Sequence, residues 1–240
     1  GSDITDLNLR LFEAEYLPAI LPPDVLAANG RSVEQRLASL RLTTVDGVPT
    51  AAGMIILGVD PSRFLPGAYV QFLRVEGTDL SAPILDEHRR DKALPSLLRE
   101  LDELIKLNIR TAVHLGERLR DVRRPEYPLA ALQQLGRNAV LHRNYEGTNS
   151  PVRITWYEDR VEIYSPGGPY GTVTVENFGR PGVTDYRNPI LAEAMGALGY
   201  VQKFGAGLEI ARQTLAENGN PPPEFTPDTS YVGVVVRGAR

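Results

Sequence analysis

Two spacings of apolar positions occur along the chain, and together they predict a mixture of helices and strands. From Leu94 to Ile105 apolar residues recur every three or four positions, which is typical of an amphipathic helix. From about Ala68 to Val75 apolar and polar positions alternate, which predicts a strand. A capping box is predicted where Ser32 is followed by Gln35 three residues later.

The second half of the chain has the same mixture with more glycine. The segments "PVRITWY" and "RVEIYSPGG" predict a β-hairpin that turns near Glu158. One helix is expected to be capped by Asn188 and the following proline, and another to begin at Gly205 and Gly207. The closing "YVGVVVR" predicts a strand that is buried on both faces by its valines.

These elements predict an α+β protein with two regions. We place the boundary near residue 121. Residues 1–121 form the smaller α+β region, and residues 122–240 form an α/β sandwich, in which helices cover a mixed sheet.

One predicted helix carries polar groups where a buried face is expected. The stretch "ALQQLGRNAVLHRNY", residues 131–145, follows Pro128, which is expected in the first helical turn. Within this stretch Gln134, Asn138 and His142 recur every four residues and therefore share one stripe. The flanking apolar residues predict a packed helix, in which Asn138 alone is also compatible with a hydrogen-bonded polar group of the core.

Composition and charge narrow the class of protein. The hydrophobic fraction of 42% is that of a globular protein, and the absence of cysteine excludes disulfides and thiolate metal sites. The apolar runs are too short to cross a membrane, so we expect a cytoplasmic protein. The net charge of −4 argues against a surface dominated by nucleic-acid binding. The run of Arg118, Arg120, Arg123 and Arg124 is interleaved with acids and is interpreted as solvated.

Two glycine-rich turns accompany the polar stripe. "SPGG" at residues 165–168 follows a predicted strand, and "FGAG" at residues 204–207 opens a predicted helix. A helix N-terminus with free N–H groups attracts phosphate, and an Asn oxygen suits Mg²⁺. The combination indicates a nucleotide, although each turn alone is compatible with ordinary capping.

At the level of whole segments the chain resembles a known family. "EYPLAALQQLGRNAVLHRNY", "SPVRITWYEDRVEIYSPGG" and "RNPILAEAMGALGYVQKFGAGLEIAR" resemble the C-terminal ATPase-like domain of the RecG-related, Schlafen-AlbA type transcriptional regulators. That domain belongs to the superfamily of gyrase, histidine-kinase and MutL ATPases, abbreviated GHKL. The resemblance runs from about residue 30 onwards, and the family's N-terminal DNA-binding domain is not represented in the sequence.

The resemblance implies a role for each matching residue. Asn138 matches the residue that ligates Mg²⁺ at the ATP phosphates. Gly167 and Gly168 match the turn beneath adenine and ribose, and Gly205 and Gly207 match the glycine box near the phosphates.

Further residues match the family signature "HRDY". His142, Arg143 and Tyr145 occupy its first, second and fourth positions, and Asn144 replaces its Asp. The resemblance therefore places His142 and Arg143 among the nucleotide-binding residues.

Two matched positions depart from the superfamily. Gln134 occupies the position of the general base, where the superfamily has Glu, and an amide cannot accept the proton of the attacking water. Ser165 stands where an Asp usually reads the adenine amino group, although the RecG-related group commonly has the same "SPGG". ATP hydrolysis is therefore expected to be weak or absent.

Three functions remain open from the sequence. The first is a regulatory module that binds ATP with Mg²⁺ and forms a homo-oligomer. It would act with DNA-directed or transcription-regulating machinery, through a partner or a further DNA-binding domain. The second is a degenerate scaffold for interaction or dimerisation that binds no nucleotide. The third is an active ATPase with another carboxylate as base, such as Glu126 or Glu146. Helicase activity is not expected, since no Walker motif occurs.

Overall fold

The centre of the protein is a mixed β-sheet. The computed structural model describes residues 1–28, 30–114, 122–201 and 206–239. Its strands are β1 Val70–Val75, β2 Ile84–Arg90, β3 Thr111–His114, β4 Val122–Pro125, β5 Val152–Trp156, β6 Arg160–Pro166, β7 Glu224–Pro227 and β8 Tyr231–Arg237. Six of them form one sheet in the order β2-β1-β5-β6-β8-β7, and β3 pairs with β4 separately.

Helices pack on this sheet. Their bounds are α1 Leu9–Leu11, α2 Leu17–Ile20, α3 Pro23–Ala28, α4 Val33–Ser39, α5 Ala51–Leu57, α6 Pro61–Phe64, α7 Leu94–Asn108, α8 Leu129–His142, α9 Pro189–Ala197 and α10 Gly207–Glu217. A 3₁₀ turn spans Ile4–Asp6, and a π-helical segment, Phe12–Tyr16, joins α1 to α2. The predicted α+β class, with a mixed sheet covered by helices, is confirmed.

The two halves of the chain meet in a parallel strand pair. β1 runs parallel to β5, with Val70 opposite Val152, whereas the other neighbours in the sheet are antiparallel. β1 and β2 precede residue 121, and β5 to β8 follow it. Phe72 of β1 and Trp156 of β5 are both fully buried, with ring centroids 6.2 Å apart. The boundary placed at residue 121 thus falls between strands of one sheet, and the division into two regions stays a prediction.

Local signals in the sequence mark the starts of several helices. The capping box at Ser32 and Gln35 forms as predicted. Pro128 is the N-cap residue of α8 and so precedes the first turn, in which it was expected. Asn188 is the N-cap residue of α9, but its side chain donates hydrogen bonds to the carbonyl oxygens of Leu141 and Arg143 at the end of α8. This amide therefore joins the end of α8 to the start of α9.

The burial of β8 differs from the prediction. Val234 and Val236, which share one face of the strand, are buried, whereas Val235 on the other face is half-buried. The run of valines suggested a strand covered on both faces, but the alternation of burial shows that one face of β8 is covered less completely.

Because β1 and β5 share one sheet and one core, we expect the chain to unfold in a single calorimetric transition. Phe72→Ala removes a ring that is fully buried in that core and should lower the free energy of unfolding by about 3–5 kcal/mol. Leu107→Ala is the matched control, because Leu107 is 78% exposed and its truncation should change little. Two transitions, of which Phe72→Ala shifts only one, would contradict this expectation.

Candidate functional site

A cavity of about 180 Å³ lies between α8, the sheet, the start of α10 and the loop that follows β6. Its floor consists of side chains from β6, β7 and β8, namely Ile163, Phe225, Val232 and Val234. We call the loop, residues 168–187, the cover segment, because most of its residues line the side of the cavity opposite the sheet. The cavity therefore has an apolar floor and a polar rim.

The polar stripe predicted on α8 lines this cavity. Gln134, Asn138 and His142 are all lining residues. Gln134 is buried and Asn138 half-buried. In the described part of the chain, neither side-chain amide has a hydrogen-bond partner. Both amides line the cavity, so their donor and acceptor atoms are available to water or to a polar ligand.

Both amides converge on the first residue of α10. A Cβ atom added at Gly207 would lie 3.1 Å from Oε1 of Gln134 and 3.3 Å from Nδ2 of Asn138. Glycine at this position therefore lets the start of α10 approach the two amides of α8 closely. Gly205, which was predicted to act with Gly207, lies outside the described residues.

His142 forms the third member of the stripe. Its ring stacks on Tyr186 of the cover segment, with centroids 5.8 Å apart and planes 13° apart. Burial, together with the nearby charge of Arg187, lowers the pKa of His142 to about 4. His142 is consequently neutral at neutral pH and presents a flat aromatic surface to the cavity.

The "SPGG" turn closes one end of the cavity, and Ser165, Gly167 and Gly168 all line it. The hydroxyl of Ser165 donates a 2.8 Å hydrogen bond to the carbonyl oxygen of Ala139 in α8. The hydroxyl proton of Ser165 is therefore engaged within the protein, and towards a ligand its oxygen can act only as a hydrogen-bond acceptor.

The two glycines of this turn are also required by the fold. Gly167 has a φ of +96°, and a Cβ there would approach Asn144 to 2.6 Å. A Cβ at Gly168 would approach the carbonyl oxygen of Asp228 to 2.2 Å. Close packing therefore explains both glycines without a ligand.

Arg143, predicted to contact the nucleotide, does not line the cavity. Its guanidinium donates hydrogen bonds to the carbonyl oxygens of Thr148 and Ser150 and lies over the ring of Tyr145, 4.6 Å from the centroid. The hydroxyl of Tyr145 in turn donates to the carbonyl oxygen of Val140. These residues of the "HRNY" signature therefore hold the turn after α8, and the sequence motif alone could not distinguish that role from ligand binding.

Two charged residues of α10, Glu209 and Arg212, also line the cavity. The guanidinium of Arg212 donates a hydrogen bond to the carbonyl oxygen of Gly179 and lies 3.7 Å from a carboxylate oxygen of Glu209. Arg187 similarly donates to the carbonyl oxygen of Gly168. These two arginines attach the cover segment to α10 and to the glycine turn.

Apart from Gly168, the residues of the cover segment were missed as site residues. It contributes Arg180, whose exposed guanidinium forms no ion pair with any described residue. It also contributes Asp185, whose carboxylate accepts hydrogen bonds from the backbone N–H groups of Thr172 and Tyr186. The high density of glycine and proline between residues 166 and 182 was the available signal for a long loop over a site.

Similarity to a known protein family supports an ATPase-like domain in the second half of the chain. Residues 149–236 match the family model described as "Putative ATP-dependent DNA helicase recG C-terminal". The matched part holds the glycine turn, the cover segment and Gly207, and begins after α8. The match supports a RecG-related, ATPase-like domain and hence a nucleotide-binding module in this part of the chain.

Two further proteins are similar over longer stretches. The chain is 26% identical over 167 residues to Cell division control protein 48 homolog B from Arabidopsis thaliana, which is 66% of this chain and 27% of that protein. The crystal structure of the DIP2311 protein from Corynebacterium diphtheriae shares the fold, with a TM-score of 0.72 and 21% identity. That match covers 100% of this chain and 46% of the other, so the chain spans less than half the length of either protein.

The described ranges contain neither a candidate membrane-spanning helix nor a candidate cluster of metal ligands. None of the helices there is both long enough and apolar enough to cross a bilayer. No group of three or more His, Asp or Glu side chains in those ranges is placed to hold a metal ion. In the arginine-rich run, Arg118 and Arg120 lie outside the described residues.

The lowered pKa of His142 predicts a loss of stability in acid. Between pH 6.5 and about 4 the unfolded chain binds a proton that the folded protein does not, so the free energy of unfolding falls as the pH falls. The free energy of unfolding is measured by chemical denaturation at pH 7 and at pH 4.5. We expect the decrease between these two pH values to be smaller by about 1–3 kcal/mol in His142→Gln than in the wild type. His88→Gln on the surface strand β2 is the control. Equal acid sensitivity of wild type and His142→Gln would show that this imidazole is protonated in the folded protein.

Proposed function

We propose that the protein is an ATP-binding regulatory module with weak or no hydrolysis. The observation that carries this proposal is the position of the side-chain amides of Gln134 and Asn138. Neither has a hydrogen-bond partner among the described residues, and both lie inside the cavity next to Gly207, the first residue of α10. The resemblance to ATPase-like domains supports a nucleotide as the occupant. A regulatory role beside DNA-directed or transcription-regulating machinery, through a partner or another domain, is part of the proposal.

The chemistry of the phosphate side suits a nucleotide bound with Mg²⁺. Mg²⁺ prefers oxygen ligands and keeps several waters, so the amide oxygen of Asn138 together with the phosphate oxygens would suffice to hold it. The N-terminus of α10 supplies a positive dipole, and Arg180 supplies a free guanidinium. Anionic phosphates would thus lie between α8, α10 and the cover segment.

The opposite end of the cavity suits a flat ring. There the stacked pair of His142 and Tyr186 and the apolar floor border the turn at Gly167 and Gly168. An adenine placed there would meet the acceptor oxygen of Ser165 where other ATPases of this type present a carboxylate.

Weak hydrolysis follows from the carboxylates that line the cavity. Asp185 accepts two backbone hydrogen bonds that lower its pKa and make it a weaker base, and a carboxylate oxygen of Glu209 lies 3.7 Å from the guanidinium of Arg212. Glu126 and Glu146, the alternative bases considered from the sequence, do not line the cavity. Gln134 lies one turn before Asn138, at the position of the missing base.

A scaffold without nucleotide is the second candidate, and the packing of the motif residues favours it. Gly167 and Gly168 are required by contacts with Asn144 and Asp228, and Arg143 holds a turn. A sequence can therefore retain these residues to keep the fold after nucleotide binding has been lost.

ATP with Mg²⁺ should raise the melting temperature of the wild type. A ligand at a hundred times its dissociation constant contributes about 2.7 kcal/mol. Asn138→Ala should abolish the Mg²⁺-dependent part of the shift measured by scanning fluorimetry and titration calorimetry, with the fold unchanged. Gln133→Ala, on the same helix but outside the cavity lining, is the matched control. If millimolar ATP leaves the melting temperature of the wild type unchanged, the scaffold is the correct assignment.

Gln134→Glu should increase phosphate release by at least about tenfold, because a positioned general base is worth about 10²–10⁴ in rate. The substitution restores a carboxylate with almost no change in volume. Steady-state phosphate release with ATP and Mg²⁺ measures the effect, and Gln133→Glu is the control for added charge on α8. Brisk hydrolysis by the wild type would refute the assignment of Gln134 as the missing base. Unchanged release by a variant that still binds ATP would show that the cavity does not position water.

A further inference from the structure

Strand β2 forms one edge of the six-stranded sheet and is open along its outer side. It pairs with β1 on one side, and no described strand pairs with the other. Its first five residues are exposed or half-buried, with Ile84 52% and Leu85 56% exposed. An edge of this kind offers a row of unpaired backbone N–H and C=O groups to another strand.

The order of charges along β2 is self-complementary. Asp86 and Glu87 precede His88, and Arg89 and Arg90 follow it. Charges on an edge strand usually keep other strands away. Here the sign of the charge reverses at His88, so a second copy that runs antiparallel presents basic residues to the acidic ones.

Backbone geometry limits how two copies of β2 can pair. Alternate residues direct their N–H and C=O groups towards the same side of a strand, so two identical strands pair only in antiparallel registers centred on a residue. The register centred on His88 places Asp86 opposite Arg90 and Glu87 opposite Arg89 of the second copy. Centring on Glu87 or on Arg89 instead places like charges, or a charge and an apolar residue, opposite each other.

The complementarity holds on both faces of the extended sheet. Because successive side chains point to opposite faces, Asp86 and Arg90 lie on one face and Glu87 and Arg89 on the other. On the first face Arg90 lies 3.0 Å from Glu100 of α7, and on the second Glu87 accepts a hydrogen bond from Gln71. Each face therefore gains two pairs of opposite charge across the new junction.

We propose that β2 pairs with β2 of a second copy of this chain, which joins two six-stranded sheets into one continuous sheet. The interface is isologous, so it closes as a dimer and leaves no further β2 edge to recruit more copies. The charged side chains already have partners within one copy, such as Asp91 for Arg89, but Arg89 and Asp86 remain about half exposed and can reach across. This inference is independent of nucleotide binding.

Paired charge reversal tests the proposal. The variants Asp86→Arg/Glu87→Arg and Arg89→Glu/Arg90→Glu each place four like-charge pairs across the junction. Cross-strand pairs contribute modestly, so together these changes should raise the dimer dissociation constant at least about tenfold in sedimentation equilibrium. An equimolar mixture of the two variants restores opposite charges at all four pairs and should dimerise again. Glu103→Lys, an exposed charge on α7, is the control and should dimerise like the wild type.

The dimer fraction of the wild type is expected to rise with protein concentration. The dissociation constant of the dimer should increase as salt is raised, because salt screens the charge pairs. A wild type that stays monomeric at the highest soluble concentration would overturn the proposal. So would reversal variants that dimerise like the wild type, or a mixture that stays monomeric although both variants melt cooperatively.

A second measurement applies if the reversed charges disturb the fold. The chain has no cysteine, so His88→Cys introduces a single thiol at the expected twofold axis. Opposed Cα atoms in an antiparallel pair lie about 4.5–5.5 Å apart, within the range for a disulfide. Mild oxidation should give a covalent dimer on a non-reducing gel, whereas Glu103→Cys should give little. Equal cross-linking of the two variants would contradict the pairing of β2.

Discussion

Helix α8 has to fill the hydrophobic core with one side while it presents polar groups to the cavity with another. Leu132, Leu135 and Val140 are buried in the core, whereas Gln134 and Asn138 line the cavity one turn apart. α8 packs on β5 and β6 and against α10, so its position fixes both the floor of the cavity and the entrance of α10. A shift of α8 to bury the polar stripe would pull the leucines out of the core. The cavity is therefore maintained by the same packing that stabilises the fold.

Much of the fold could be predicted because the relevant signals are local. The helical spacing of α7, the capping box at Ser32 and the alternation in the β5–β6 hairpin each need only a few neighbouring residues. The stripe on α8 is also local, since residues four apart on a helix share a face. The sequence pattern could therefore identify Gln134, Asn138 and His142 as a group before their surroundings were known.

Features that depend on distant contacts could not be predicted in the same way. Arg143 stands beside His142 in one short motif, but its partners are the carbonyl oxygens of the following turn. Glu209 and Arg212 have the composition of a surface helix, and only the folded cover segment brings them into the cavity lining. The valines of β8 gave no sign that one face would be less covered. The parallel pairing of β1 with β5 likewise joins residues about eighty positions apart, which no local pattern reports.

The cover segment is tied to the protein near both ends. Arg187 holds the carbonyl of Gly168, and the neighbouring Asn188 holds the last carbonyls of α8. A loop whose ends are fixed in this way can change in length and sequence at small cost, because each doubling of loop length costs only about 0.6 kcal/mol of closure entropy. Insertions and substitutions between these two anchor points would alter what the cavity accepts while the sheet and α8 stay as they are. The architecture thus separates the sheet and α8, whose packing fixes the walls of the cavity, from a loop whose length and sequence can change without disturbing that packing.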